Sequence, residues 1–221
     1  MRFDGGRVCL DLAATKEHGQ AETADELRDP AQLSRWLYGA GLVPAATAIP
    51  VESGWLPHFH ELRALLRRLV ACEVDGDAPT PDDIAALNQF ARPAPPAPAA
   101  VPEPRTEPRT ATNTATSTAT NAATRKPPQQ ETEPAVALSR RLAAPPTWES
   151  LASVVARDAV DLLTDPAARD RLRRCEGERC HRVYLDTSRG RRRRWCSSEV
   201  CGNRERVARH RRRTTLAGTQ G

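Results

Sequence analysis

The sequence predicts an α+β protein: a predominantly helical N-terminal body with a short strand, then a small C-terminal treble-clef-like module made of a hairpin plus a helix. Three observations predict it. Apolar residues recur at helical spacing in four separate stretches, four cysteines fall in two close pairs near the C-terminus, and charge is divided unevenly along the chain. With 221 residues there is room for one medium domain and a small module.

In RVCLDLAAT (Arg7 to Thr15), Val8, Leu10 and Leu12 alternate with Cys9, Asp11 and Ala13, which predicts a short strand with one buried face. Asp29 then supplies a cap and Pro30 a first helical position, and Leu33, Trp36, Leu37 and Ala40 follow at helical spacing up to Gly39 and Gly41. From Pro57, residues Phe59, Leu62, Leu65, Leu66, Leu69 and Val70 form an apolar stripe that Cys72 continues and Gly76 ends. Thr80, Pro81, Asp82 and Asp83 make another helix start, with acids where the N-terminal dipole favours them and with Ile84, Leu87 and Phe90 as the buried side.

Arg92 to Pro134 has a different character. Ten of the 19 prolines lie there, beside TATNTATSTATNAAT (Thr110 to Thr124), so the segment buries little apolar surface and disorder is expected; an edge strand over the Thr/Ala alternation is the minor reading. Helical spacing returns at Thr147 with Leu151, Val154, Val155, Leu162 and Leu163, and Asp165-Pro166 starts a short further helix leading into Arg174. The helices are expected to share one core. That gives a body over 1–168 with an insertion at 92–134, a C-terminal module over 169–213 and a flexible tail over 214–221. Cys9 and Cys72 fit packing positions as plain buried thiols.

Cys175 and Cys180 are separated by four residues, as are Cys196 and Cys201, with fifteen residues between the pairs. Two close pairs around a hairpin-sized spacer suit one structural Zn²⁺ held by four thiolates. A disulfide or redox pair and another metal cluster are the alternatives, and His181 or His210 could each stand in for a sulfur. Val183 to Leu185 are strand formers, DTSRG (Asp186 to Gly190) is turn chemistry, and Arg192 to Trp195 is expected to return as the second strand. Ser197 or Ser198 then caps a helix carrying Cys201, with Val200 and Val207 turned inward beside Trp195. The whole predicts a treble-clef-like zinc finger.

Only Lys16 and Lys126 are lysines, so the arginine total reflects compositional bias as much as function. Distribution is more telling. From Arg169 to Arg213 there are 17 arginines against 6 acids, a net of +11, which leaves −6 on the other 176 residues. A cationic module on a mildly acidic body points to a polyanion, and duplex DNA is the favoured one. The expected contacts are Arg191, Arg192, Arg193 and Arg194 beside the turn, and Arg204, Arg206, Arg209, Arg211, Arg212 and Arg213 on the helix, mostly to phosphate. RNA is the alternative polyanion, with Tyr184 and Trp195 available to stack bases.

No phosphate loop, nucleophile elbow or carboxylate pair occurs. His58 and His60 flank Phe59 without a ligand-spaced partner, so neither they nor Asp11 make an active site, and the chain is expected not to be an enzyme. Nor is there a stretch near the roughly 20 apolar residues of a membrane helix, and the reading is a cytoplasmic, nucleoid-associated protein that self-associates through its helical body, if at all.

At these residues the sequence resembles the CGNR zinc-finger family, whose motif stands here as Cys201, Gly202, Asn203 and Arg204 inside LDTSRGRRRRWCSSEVCGNRERVARHRRR. The N-terminal part resembles the ABATE domain in GGRVCLDLAAT, DPAQLSRWLYGAGL, the helix at Glu61 to Val70 and DDIAALNQFA. One departure is Ala14, where such domains commonly carry Asn before Thr15. The resemblance implies a bacterial stress-induced transcription regulator with Cys175, Cys180, Cys196 and Cys201 as zinc ligands.

Overall fold

The computed structural model describes residues 1–16, 25–104, 136–178 and 180–218. Helices dominate the body: α1 (Val8–Ala13), α2 (Pro30–Gly39), α3 (Trp55–Asp75), α4 (Pro81–Ala91), α5 (Trp148–Thr164) and the single turn α6 (Pro166–Arg169). Their starts follow the sequence. Asp29 accepts from the Gln32 amide, Thr80 from Asp83 and Thr147 from Ser150, each leaving fewer orphan N–H groups, and α3 ends at Gly76 with φ +81°.

The central element is α3. It packs against α1, α2, α4 and α5, and Leu33, Trp36, Phe59, Leu62, Leu66, Leu151, Val155 and Leu162 are all fully buried in one cluster. Trp36 and Phe59 meet edge to face at 6.4 Å. This is the shared core that the apolar stripes predict.

Two expectations about strands are corrected. Val8 to Ala13 is helical: Cys9 and Asp11, which a strand would turn to solvent, are buried along with Leu10 and Leu12. The Cys9 amide donates to Asp158 of α5 at 3.0 Å, and Asp11 accepts from the Gly5 amide at 2.9 Å. A six-residue element surrounded on all sides loses the one-sided pattern that separates helix from strand.

The second correction lies in the proline-rich tract. Strands β1 (Pro98–Pro104) and β2 (Val136–Leu142) form an antiparallel ribbon with Val101 opposite Ser139. Pro98, Pro102 and Pro104 share one parity, while the hydrogen bond from the Ala143 amide to the Ala97 carbonyl sets the ladder on the other. All three prolines thus sit where no ladder donor is needed. The Thr110 to Thr124 alternation lies outside the described residues.

Among the described residues, Asp11 is the body's most perturbed carboxyl. Burial pushes it up to about 6, against the Gly5 N–H bond that pulls it down. A raised folded pKa favours the neutral acid, so the contribution to stability is present below about pH 4 and lost as pH rises through about 6. Replacing Asp11 with Asn should therefore be near neutral at pH 4 and stabilising by about 2 kcal/mol at pH 7. Denaturation midpoints of the two proteins at both pH values measure it, and an unchanged difference would refute it.

Candidate metal centre and cationic face

The C-terminal module begins with β3 (Leu172–Arg174), antiparallel to β4 (Val183–Leu185). The partner of β4 is corrected: Arg192 to Trp195 forms no strand, whereas Leu172 to Arg174, expected to continue the short helix from Asp165-Pro166, does. The reason is local. The buried Asp186 accepts from the Ser188 amide and hydroxyl and from the Arg193 amide, so the chain coils around its carboxylate and does not fold back as a ribbon. Burial would raise this carboxyl, but the Ser188 and Arg193 bonds hold it below the usual range.

Cys175 and Cys180 thus occupy the loop of the β3–β4 hairpin, where the Cys175 amide donates to the Arg182 carbonyl at 2.9 Å. Cys196 precedes Ser197, whose side chain accepts from the Val200 amide, and Cys201 lies in the single π-helical turn that follows, Ser198–Gly202. The helix α7 (Asn203–Gly218) continues from it, past Arg213 into the segment read as a tail. Gly202 packs beside the Trp195 ring, where an added Cβ would sit 3.4 Å from it. Val200 packs against the cysteines, whereas Val207 is exposed, contrary to its expected inward position.

The four cysteine sulfurs are buried and all lie within 4.8 Å of one another, with Cys180 to Cys196 at 3.7 Å and Cys196 to Cys201 at 3.5 Å. Four sulfurs bound tetrahedrally at 2.3 Å would lie about 3.8 Å apart, whereas a disulfide requires about 2.05 Å. The donor set has the size and closure of a metal shell. Without metal the thiols cannot ionise together: hydrogen bonds from Cys180 and Cys196 hold Cys175 far below the usual thiol range, and the same bonds keep the protons on Cys180 and on Cys196, the latter pushed up to about 12. A divalent cation would take the place of those protons.

The N-terminal residues complete the surroundings of this centre, a feature with no clear signal in the sequence. Arg2 donates to the Cys196 sulfur at 3.4 Å and pairs with Asp4. The Leu185 amide donates to the Gly5 carbonyl, and a Cβ on Gly5 would stand 2.9 Å from Asp11, so the Gly5-Gly6 pair admits the chain between α1 and β4. Arg182 is buried and reaches Asp4 and Glu26, and Leu172 belongs to the body's core. Body and finger are therefore packed together. The doublet GG was visible in the sequence; its purpose was not.

The predicted arginines divide into two groups. Arg193 is turned inward: its guanidinium donates to the carbonyls of Trp195, Asp4 and Cys196 and lies 4.6 Å over the Tyr184 ring. Arg192, Arg204, Arg206, Arg209, Arg211 and Arg212 are exposed, as are Arg191 beside Asp170 and Arg194, which pairs with Glu176 and overlies Trp195. Arg206 donates to the Gly202 and Ser198 carbonyls and Arg212 pairs with Glu178, while Arg213 lies within α7. His181 is exposed and is not part of the cysteine cluster. Elsewhere, His60 bonds the Leu27 carbonyl and His58 stacks on Trp148 at 3.6 Å, both structural positions.

A helical body fused to a finger with four converging cysteines defines a zinc-finger protein of mixed α+β fold. Residues 6–166 match the sequence model of ABATE, described as "Putative stress-induced transcription regulator", and the chain belongs to that family. Residues 171–214 match the CGNR zinc finger, so the two parts occur in the order the sequence implies. No curated protein is significantly similar to the chain. Among the described residues, no helix is long and apolar enough to cross a membrane.

Proposed function

We propose that the chain is a DNA-binding transcription regulator whose finger is folded by one structural Zn²⁺ on Cys175, Cys180, Cys196 and Cys201, and whose body senses a signal. The observation that carries this reading is the cationic helix α7, mounted directly on the cysteine cluster through Cys201 while the body beneath it is acidic overall. Arginines at 204, 206, 209, 211 and 212 are all exposed and at helical spacing cover more than half of the α7 circumference, and a groove lined by phosphates accommodates such a helix. A closed sulfur shell leaves no open metal position for catalysis, so the metal's role is to hold the fold.

Duplex DNA is preferred to RNA because Tyr184 is fully buried, with its hydroxyl on the Arg193 carbonyl, and Trp195 is covered by Arg194. Neither ring is presented for stacking on bases. The test is selection of bound sequences from random duplexes by zinc-loaded protein, with salt titration. An enriched site is expected, two-fold symmetric if the protein binds as a dimer. Replacing Arg204 and Arg209 with Ala should weaken binding to every sequence and lower the salt slope by about one per lost phosphate contact. Loss of only one base preference at an unchanged slope would refute the phosphate assignment.

A further inference from the structure

The two strands of the ribbon differ in what their outer edges offer. Odd-numbered residues exchange the hydrogen bonds of the ladder, as the Ala143 to Ala97 bond requires, so the even-numbered ones turn their backbone groups outward. On β1 these are Pro98, Ala100, Pro102 and Pro104, and the three prolines have no N–H to give. On β2 they are Val136, Leu138, Arg140 and Leu142, each with a donor and an acceptor. Among the described residues, no backbone partner meets these four on that side. One edge of the ribbon is closed and the other is open.

The two faces differ as well. The odd-numbered Ala99, Glu103, Ala137, Ser139 and Arg141 are half-buried, and Arg141 pairs with Glu103 and donates to the Ala46 carbonyl in the connection between α2 and α3. The even-numbered Pro98, Ala100, Pro102, Leu138 and Arg140 are exposed. Leu138 is 75% exposed, more than any other large apolar side chain among the described residues. An open edge beside an exposed apolar face suits the addition of a further strand.

We propose that a second copy of this chain adds its own β2 antiparallel to this edge, about a two-fold axis at Ser139, giving a four-stranded sheet in the order β1–β2–β2–β1. The strand is its own complement. Val136–Leu142 is centred on Ser139, so an axis there pairs all seven residues. Outward groups then meet outward groups, Leu138 of one copy opposite Arg140 of the other and Val136 opposite Leu142, with about eight backbone hydrogen bonds between the copies. Other registers are worse. An axis at Arg140 sets the two guanidinium groups face to face, an axis at Leu138 leaves Arg141 and Leu142 unpaired, and a slip by one residue turns outward groups against inward ones. With the axis at Ser139 no like charges stand directly opposite, and the aliphatic stem of Arg140 covers Leu138. The prolines of β1 end the sheet on both sides, so pairing closes at a dimer and does not propagate. A two-stranded ribbon is marginal by itself, and the added strands stabilise it. No residue of the finger takes part, so the contact stands or fails apart from the DNA-binding reading.

The test is sedimentation equilibrium of zinc-loaded full-length protein, without DNA, over a dilution series. A reversible monomer–dimer equilibrium is expected. Arg140→Pro removes an outward donor while sparing the ladder to β1, and should weaken the dimer at least about tenfold; Ala100→Pro, on the closed edge of β1, should leave it unchanged. Should Arg140→Pro fail to fold, Ser139→Cys carries the test. Two such residues at the axis stand about 4.5 Å apart between Cα atoms, within disulfide reach. Oxidised glutathione should then yield a reducible dimer, whereas Ala137→Cys, which faces Arg141 of the other copy, should cross-link no more than the unsubstituted protein. A chain that stays monomeric up to about 1 mM would overturn the proposal. If replacing residues 105–135 with a short turn then produced the dimer, the chain's own insertion would be the occupant of the edge, which also overturns it. So would a dimer indifferent to Arg140→Pro, or cross-linking as ready through Ala137→Cys as through Ser139→Cys.

Discussion

Replacing Cys201 with serine should release the metal and abolish DNA binding while most of the body's helical signal survives. The finger has almost no apolar core of its own: its cluster is Tyr184 with the four cysteines, bordered by Trp195 and Val200. Structural zinc supplies about 10–16 kcal/mol of apparent binding energy in isolated fingers, and a core of this size cannot replace it. Cys201 also lies in the turn that launches α7, so its loss frees the helix that carries the arginines. The body keeps its separate core around Trp36, Phe59 and Leu151. The hairpin should stay anchored through Leu172 and the Leu185 to Gly5 bond, which confines unfolding to the residues after Asp186. Circular dichroism, elemental analysis and DNA titration on one sample report all three. A Cys201→Ser protein that keeps its metal and its DNA affinity would refute the account.

Arg193→Ala should cost stability and Arg192→Ala should cost affinity, although the two residues are neighbours in one basic run. Arg193 serves three carbonyls, including that of Cys196 in the cysteine cluster, and covers Tyr184, so its removal leaves those acceptors unmatched at about 2–4 kcal/mol. Lysine cannot reproduce the forked geometry, so Arg193→Lys should recover only part of the loss. Arg192 is exposed, and its replacement should change stability by no more than about 0.5 kcal/mol while weakening DNA binding at low salt. Thermal unfolding paired with DNA titration separates them; equal behaviour of the two variants in both measurements would remove the distinction.

That contrast shows what the sequence could convey. Cysteine spacing, helix caps and apolar stripes are local signals: the four cysteines converge, and Asp29, Thr80 and Thr147 cap their helices. The charge asymmetry marked the finger as the cationic part. What could not be read was long-range. Within RRRR nothing distinguishes Arg193 from its neighbours, because its partners are Asp4 and Tyr184, brought close only by folding. The same holds for Arg2 at the Cys196 sulfur and for the Asp25–Arg63 pair, 38 positions apart. Strand assignments failed where periodicity was ambiguous, in the enclosed α1, or where prolines masked a ribbon that tolerates them. The pairing of β3 with β4 was hidden because Leu172 to Arg174 is only three residues long and reads as charged chain.

The central claim is that a metal-held finger presents arginines to DNA. One titration tests it most directly: duplex DNA added at low salt to protein of measured zinc content, before chelation, after chelation and after zinc is restored. The account predicts one zinc per chain, binding that weakens steeply with salt, loss of binding with the metal and recovery with zinc. Stoichiometric zinc without duplex binding at low salt, or binding indifferent to removal of the metal, would contradict it.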